Sequence, residues 1–493
     1  MKYKSTRGKG TEINSAEAII RGLAADGGLF VPDSMPKIDN DFIKALLPLS
    51  YEQRAYSILK LFLTDYTDEE IENCVQKAYG NNKFDDKKCA PITVFDDCGV
   101  LELWHGPTSA FKDMALQLLP QLMSTALAKT GEKDNILILV ATSGDTGKAA
   151  LEGFRDVDKI KIMVFYPEGG VSKIQKLQML TQEGTNVNVT AVRGNFDDAQ
   201  SGVKKIFSDT AFNAKLLEKG VKLSSANSIN WGRLVPQIVY YFSAYADLLQ
   251  AGKIKLGDEI NFSVPTGNFG NILAGFYAKQ MGLPVHKLIC ASNANNVLTD
   301  FLRTGIYDRN REFYKTITPS MDILISSNLE RLLYYMSDSA QVAEFMQELQ
   351  AQGKYDVGSA ILSKIKETFW ADWASDSDTK ELIHEVYQNK NYIADTHTAV
   401  AWKVAKNYQQ ATGDNHYTVV VSTASPYKFN GSVLEALGID TAALDEFALL
   451  DKLAAVNSSP IPTGLVSLRN KQIVHKDVCD SDKMADSVLT FCS

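Results

Sequence analysis

The sequence has no cysteines at C-x-x-C spacing, and its six cysteines (Cys74, Cys89, Cys98, Cys290, Cys479, Cys492) are scattered over 493 residues. This excludes a zinc ribbon and a thioredoxin-type redox site. So sparse a set reads as reduced thiols, the neighbouring Cys89 and Cys98 included. No uninterrupted apolar run is long enough for a membrane-spanning helix. The stretch Met1–Gly8 carries charge without an apolar core, so no secretory signal is expected and the chain reads as cytoplasmic. An excess of basic residues is also missing. Lys and Arg number 51 against 59 Asp and Glu, a net charge of −8, with a pI near 5.5. That argues against nucleic acid as the main partner, because a phosphate backbone needs a basic face. It leaves room for a local basic pocket holding a small anion. Neither HExxH nor a Ser-His-Asp order is present. The six histidines do not cluster at ligand spacing, so no metal site is expected. His397 is the one in a suggestive polar setting, and it reads as a hydrogen-bonded structural histidine.

What is present is an ordinary globular balance, 45% hydrophobic and 22% charged, in a chain long enough for about three domains. Residues 15–80 carry apolar positions at helical spacing, as in Ala16 to Leu23 and Asp41 to Leu47, with a turn at Gly27–Pro32. From about residue 86 the pattern becomes α/β. Apolar, β-rich runs at 136–141, 160–166, 187–192, 260–264, 288–292 and 418–422 suit strands buried on both faces. Helical stretches such as 172–182, 199–211 and 234–250 separate them. The alternation predicts parallel sheets with helices on both faces, whose ligands bind beyond the carboxyl ends of the strands. Residues 300–392 read as a helical insertion, and 372–378 as a solvated loop.

The segments at those positions carry the chemistry. His105-Gly106-Pro107-Thr108-Ser109-Ala110-Phe111-Lys112 is a Gly-Pro turn delivering one lysine to a helix start. Positive charge is a poor choice there for the helix dipole. Taken alone such a lysine is usually solvent-facing; desolvated, it suits Schiff-base chemistry. Thr142-Ser143-Gly144-Asp145-Thr146-Gly147-Lys148 resembles a phosphate loop but fails the Walker pattern at Thr142 and Ala149, which excludes an NTPase. Part of it also reads as a turn capped by Ser143 or Thr146. Pro265–Gly275 places Gly267, Asn268, Phe269, Gly270 and Asn271 at the start of an apolar helix, suited to a single phosphate. Asn227–Arg233 gathers amides, a hydroxyl and an arginine able to grip phosphate or carboxylate. The 418–422 strand runs into Thr423, which suits a ligand ring edge or a turn cap.

Together these segments resemble the threonine synthase family, in its long form. Further motifs that carry the resemblance are Ser5-Thr6-Arg7-Gly8, Gly28–Pro32, Gly194–Gln200, Ser320–Ile323, Ser327-Asn328-Leu329-Glu330-Arg331 and Ser422–Phe429. The resemblance implies an α/β chain of fold type II, the tryptophan synthase β-like class. It would have two parallel-sheet domains with helices on both faces and a small, mainly helical N-terminal domain. The expected division is 1–85 for the N-terminal domain, 86–130 with 226–493 for a large domain, and 131–225 for a small one. The implied cofactor is pyridoxal 5'-phosphate, and the implied reaction makes L-threonine and phosphate from O-phospho-L-homoserine and water. Lys112 would be catalytic and would carry the cofactor as a Schiff base. Gly267, Asn268, Phe269, Gly270 and Asn271 would hold its phosphate, Thr423 its ring nitrogen, and Asp145 would lie near its 3-oxygen. Thr142, Ser143, Thr146, Asn227 and Arg233 would bind the substrate anion. A dehydratase of the same cofactor class would share Lys112 and the Gly-Asn loop without needing that anion site. The chain departs from the family pattern at Ser425, where a histidine is common, and at Thr396, where a proline is. Monomer and homodimer both remain open.

Overall fold

Ile260–Pro265 is buried at every residue, which requires cover on both faces of the sheet it joins. In the computed structural model, which describes residues 1–142, 144–169, 171–456 and 459–492, this strand sits inside a six-stranded sheet. The order is Phe369–Trp373, Val285–Ser292, Ile260–Pro265, Thr418–Ser422, Cys98–Glu102 and Ile92–Val94. All neighbours run parallel except the edge strand Ile92–Val94. A second sheet has five parallel strands, in the order Asp477–Asp480, Val187–Arg193, Ile160–Pro167, Asn135–Ala141 and Val221–Ser224. Crossover helices cover the faces, as parallel pairing demands.

The helix Trp231–Gln250 is buried continuously from Trp231 to Leu248. A helix apolar on nearly all sides belongs in the interior, and this one packs against Gly270–Met281, Tyr51–Leu59 and Lys112–Leu116. The N-terminal segment is helical, with capping boxes at Ser50/Gln53 and Thr67/Glu70. The expected turn at 27–32 ends in a strand, Phe30–Pro32, paired antiparallel with Tyr3–Ser5. Two distant signatures meet here. Thr6 Oγ1 donates to Glu330 at 2.6 Å, and Arg7 binds the same carboxylate at 2.9 and 3.0 Å. The buried Arg331 guanidinium donates to Phe30 O, Asn328 Oδ1 and Ile229 O. One side chain thus ties the N-terminal strand to two loops of the site.

All six expected core strands form, each within three residues of its expected start. Three expectations differ. The helix read at 199–211 is two, Phe196–Ser208 and Thr210–Glu218, because Asp209 leaves helical geometry and caps the second. The region read as a helical insertion contributes the strand Phe369–Trp373 to the large sheet, and the loop read at 372–378 is its end plus the start of the helix Asp376–Lys390, capped by Ser375. Finally, the tail does not stay with the large sheet. Asp477–Asp480 pairs with the otherwise open edge of Val187–Arg193, and Met484 and Val488 are buried in the core of the second sheet. Among the described residues no helix is long and apolar enough to cross a membrane.

Candidate active site

The loops after Cys98–Glu102, Asn135–Ala141, Ile260–Pro265 and Thr418–Ser422 hold most of the expected site residues, beyond strand carboxyl ends as the topology requires. Two of these loops are stitched together by backbone. Phe111 N donates to Thr423 O at 2.8 Å, and Ser425 N donates to Ser109 O at 3.1 Å. Lys112 and Thr423 therefore share one wall. The turn before Lys112 is held by Asp113, whose buried carboxylate accepts from Thr108 N at 2.8 Å and Thr108 Oγ1 at 2.7 Å. Burial raises Asp113 to about 6.

Lys112 Nζ lies 3.9 Å from Asp145 Oδ2. Burial pulls the amine below its ordinary value; Asp145 opposes this, and the charges of Arg233 and Lys428 add to it. Asp145 opens the helix Asp145–Phe154. This helix approaches so closely that a Cβ on Gly153 would sit 1.9 Å from Leu116 O, so glycine there is what lets Asp145 reach Lys112. Burial alone pushes the Asp145 carboxyl up, but Lys428 and Lys112 outweigh it and hold it well below the usual carboxylate range. Nothing local in the sequence marks Lys428 as a partner of this carboxylate. Its Nζ, fully buried, donates to Asp145 Oδ1 at 2.7 Å, Gln178 Oε1 at 3.0 Å and Thr108 O at 3.1 Å. Gln175 Nε2 adds a second donor to Asp145 at 2.9 Å.

The Gly-Asn loop is built close. Gly267 has room for no Cβ, since Ser320 O would lie 2.8 Å from it. Phe269 adopts φ 62°, a left-handed conformation that is strained for an aromatic residue. Its ring is buried against Phe369. Asn268 is exposed, and its carbonyl accepts from Asn328 N and Nδ2, both at 3.1 Å. Asn271 Oδ1 is taken by the hydroxyls of Tyr240 and Tyr241, at 2.7 and 2.8 Å. That fixes the amide so that its Nδ2 is buried without a protein partner.

Among the expected anion ligands, Arg233 is buried on the first turn of the long helix, and burial pulls it down to about 10, so it stays charged at neutral pH. Nη1 donates to Ala226 O at 3.0 Å, while Nε has no protein partner. Asn227 is exposed and Thr146 half-buried. Ser143 lies outside the described residues. Thr142 departs from expectation. Its hydroxyl accepts from Gly144 N and Gly147 N, both at 3.0 Å, and donates to Gly144 O. It caps the turn, its oxygen accepting two backbone N–H bonds and its O–H donating to Gly144 O at 3.3 Å. His397 is buried, with Nδ1 3.0 Å from Asp395 and Nε2 accepting from Ser320 N.

The residues fit pyridoxal phosphate. Asn271 Nδ2, a buried donor without a protein partner, suits the cofactor's anionic phosphate, since a buried donor otherwise carries its full desolvation cost. The helix Gly270–Met281 points its N-terminus at the same place.

His105, opening the lysine-bearing turn, bridges Asp85 at 2.6 Å and Glu102 at 2.9 Å. Burial lowers its pKa, but the two carboxylates outweigh this and raise it to about 9. A raised folded-state value stabilises fully below the unfolded value and is lost as pH rises through the folded one. Stability should therefore decline between about pH 6.5 and 9. In urea titrations over that range, His105→Gln should remove most of the slope; an unchanged slope would refute the assignment.

Three family models match. They are "Threonine synthase N terminus" over residues 2–79, "Pyridoxal-phosphate dependent enzyme" over 100–360 and "Threonine synthase, C-terminal" over 398–471. Human threonine synthase-like 1 is 41% identical over 95% of this chain, which spans 64% of that protein's length. Threonine synthase of Pseudomonas aeruginosa is 40% identical over 90% of this chain and 91% of its own. Among solved structures, PLP-bound threonine synthase from Brucella melitensis superposes with a TM-score of 0.89 at 36% identity, covering 100% of this chain and 99% of that one. Identity of this extent, joined to the shared fold and the largely buried lysine opposite Asp145, means that the chain belongs to the threonine synthase family of pyridoxal-phosphate-dependent enzymes.

Proposed function

We propose that this protein converts O-phospho-L-homoserine and water to L-threonine and phosphate, in the cytoplasm, with pyridoxal phosphate held at Lys112. The observation that carries the reading is the largely buried Lys112 amine facing the ionised Asp145, with Arg233 close enough to act on it. Bound there, the cofactor supplies an electron sink for charge developing beside the substrate's amine-bearing carbon.

The protein's own groups then divide the work. Lys112, its basicity lowered by burial, takes and returns protons at the substrate's Cα and Cβ. Asn271 Nδ2 and the N-terminus of Gly270–Met281 hold the cofactor phosphate, backed by Gly267, Asn268, Phe269 and Gly270. Thr423 would offer its hydroxyl to the ring nitrogen, and Asp145, held anionic by its lysine neighbours, would face the 3-oxygen. Arg233, with Asn227 and Thr146, grips the phosphate of the substrate and stabilises it as it leaves. Thr142 has a different role, shaping the turn that delivers Asp145.

Arg233→Ala should raise KM for O-phospho-L-homoserine by roughly 10- to 100-fold, as loss of a charged hydrogen bond does, and leave cofactor affinity nearly unchanged. Equal loss of both would put Arg233 in the wrong site. Turnover in oxygen-18 water tests the reaction itself. The reading requires label in the threonine hydroxyl and none in the released phosphate, because the carbon–oxygen bond breaks. Labelled phosphate would mean simple phosphate-ester hydrolysis.

A further inference from the structure

At the opposite end of the large sheet, three strands that do not serve chemistry at that end carry a cluster of ligating side chains. Glu259 immediately precedes Ile260–Pro265, His286 is the second residue of Val285–Ser292, and His416 lies just before Thr418–Ser422. These strands are adjacent and parallel, so the three residues emerge together at their amino ends, away from Gly267 and Thr423. One ligand atom from each lies within 4.8 Å of the other two. The strand pairing is irregular between Val285 and Leu288, and such a bulge re-aims a side chain, here that of His286.

The two imidazoles stack with centroids 4.0 Å apart and planes 18° apart, and they share one carboxylate. Asp414 Oδ2 lies 3.1 Å from His286 Nδ1, and Oδ1 lies 2.5 Å from His416 Nδ1. Asp414 is itself fixed by His416 N at 2.9 Å, Asn261 Nδ2 at 3.0 Å and the Tyr408 hydroxyl at 2.5 Å. A carboxylate at Nδ1 sets the tautomer. The proton sits on Nδ1, and the Nε2 lone pair is directed away from Asp414. Metal-binding histidines are oriented in this way. The two histidines converge on one half-buried acceptor.

We propose that Glu259, His286 and His416 bind a divalent transition-metal ion, best suited to zinc, with Asp414 orienting both histidines. Two imidazoles and a carboxylate suit zinc, nickel or copper rather than magnesium or calcium, which prefer all-oxygen sites. Three protein ligands leave one position for water. Closing the cluster onto bonds of about 2.0–2.2 Å brings the ligand atoms to roughly 3.4 Å apart and requires the stacked rings to splay until both planes meet at the ion, a side-chain rotation for the exposed Glu259 and His416. The same two strands, Ile260–Pro265 and Thr418–Ser422, carry the Gly267 and Thr423 loops at their other ends. An ion here would clamp the amino ends of the strands that build the cofactor site.

The test uses the PLP-loaded full chain, stripped of metal with a chelator. It is titrated with zinc sulfate against a competing chromophoric chelator, and the thermal midpoint is followed in parallel. One zinc per chain should bind and raise the midpoint. Glu259→Gln and His416→Gln, both at the surface, should each weaken binding at least tenfold and remove the rise while keeping full cofactor loading. Asp414→Asn keeps all three ligands and should still weaken zinc about 10- to 100-fold. Cys98→Ser, altering a thiol lining the same surface groove, should bind as the parent does. No saturable zinc binding by the parent, or unchanged binding by His416→Gln, would overturn the proposal.

Discussion

Replacing Lys112 with alanine should lower turnover by at least about four orders of magnitude, the upper range for loss of a general base, to which loss of the covalent anchor adds. The fold should survive. Among the described residues the Lys112 amine makes no side-chain hydrogen bond, only its 3.9 Å approach to Asp145, and the turn that presents it is held by Asp113 and by backbone bonds to Thr423 and Ser109. A readout independent of activity separates anchoring from folding. Borohydride should fix pyridoxal phosphate covalently to the parent, on the peptide containing Lys112, and to nothing in the variant. Turnover by Lys112→Ala within a hundredfold of the parent would sink the lysine assignment.

The second large effect is expected at Lys428. Lys428→Met leaves Asp145 buried with Gln175 and the more distant Lys112 as its remaining partners. Removing one member of a buried ion pair costs about 3–5 kcal/mol. The sign in pH follows from the depressed Asp145 pKa. In the parent, its contribution is present above the unfolded carboxylate pKa and is lost as pH falls through the folded one. Without Lys428 that depression shrinks, so the variant should lose both stability and activity at a higher pH than the parent. The double variant Lys428→Met/Asp145→Asn should regain much of the stability, since no buried charge is then stranded. Additive losses in that cycle would show that the two residues do not act as a pair.

Most of the framework was readable because burial writes itself into composition. The run Ile136–Ala141 is apolar throughout since both faces of its strand are covered, and periodicity needs nothing else to find it. Short or mixed strands left no such trace. Phe369–Trp373 alternates buried and half-buried residues and ends on the exposed Trp373, within a helical region, and Asp477–Asp480 has one buried residue, so its place depends on a partner edge almost three hundred residues earlier. The site divides in the same way. Lys112 stood out because a Gly-Pro turn and a helix start are local features. Lys428 lies within the Ser422–Phe429 motif, yet its importance lies in Asp145, which only the fold brings near. Thr142 shows the converse, since its residue type suits a ligand while its hydroxyl is engaged by the turn. His286 and His416 lie far apart in sequence, and strand order alone stacks them.

The most direct test supplies the purified chain with pyridoxal phosphate and O-phospho-L-homoserine and measures threonine and phosphate in the same samples. Both should be released in equimolar amounts, rising together with time and abolished by Lys112→Ala. Cofactor bound with neither product formed, or phosphate released without threonine, would contradict it.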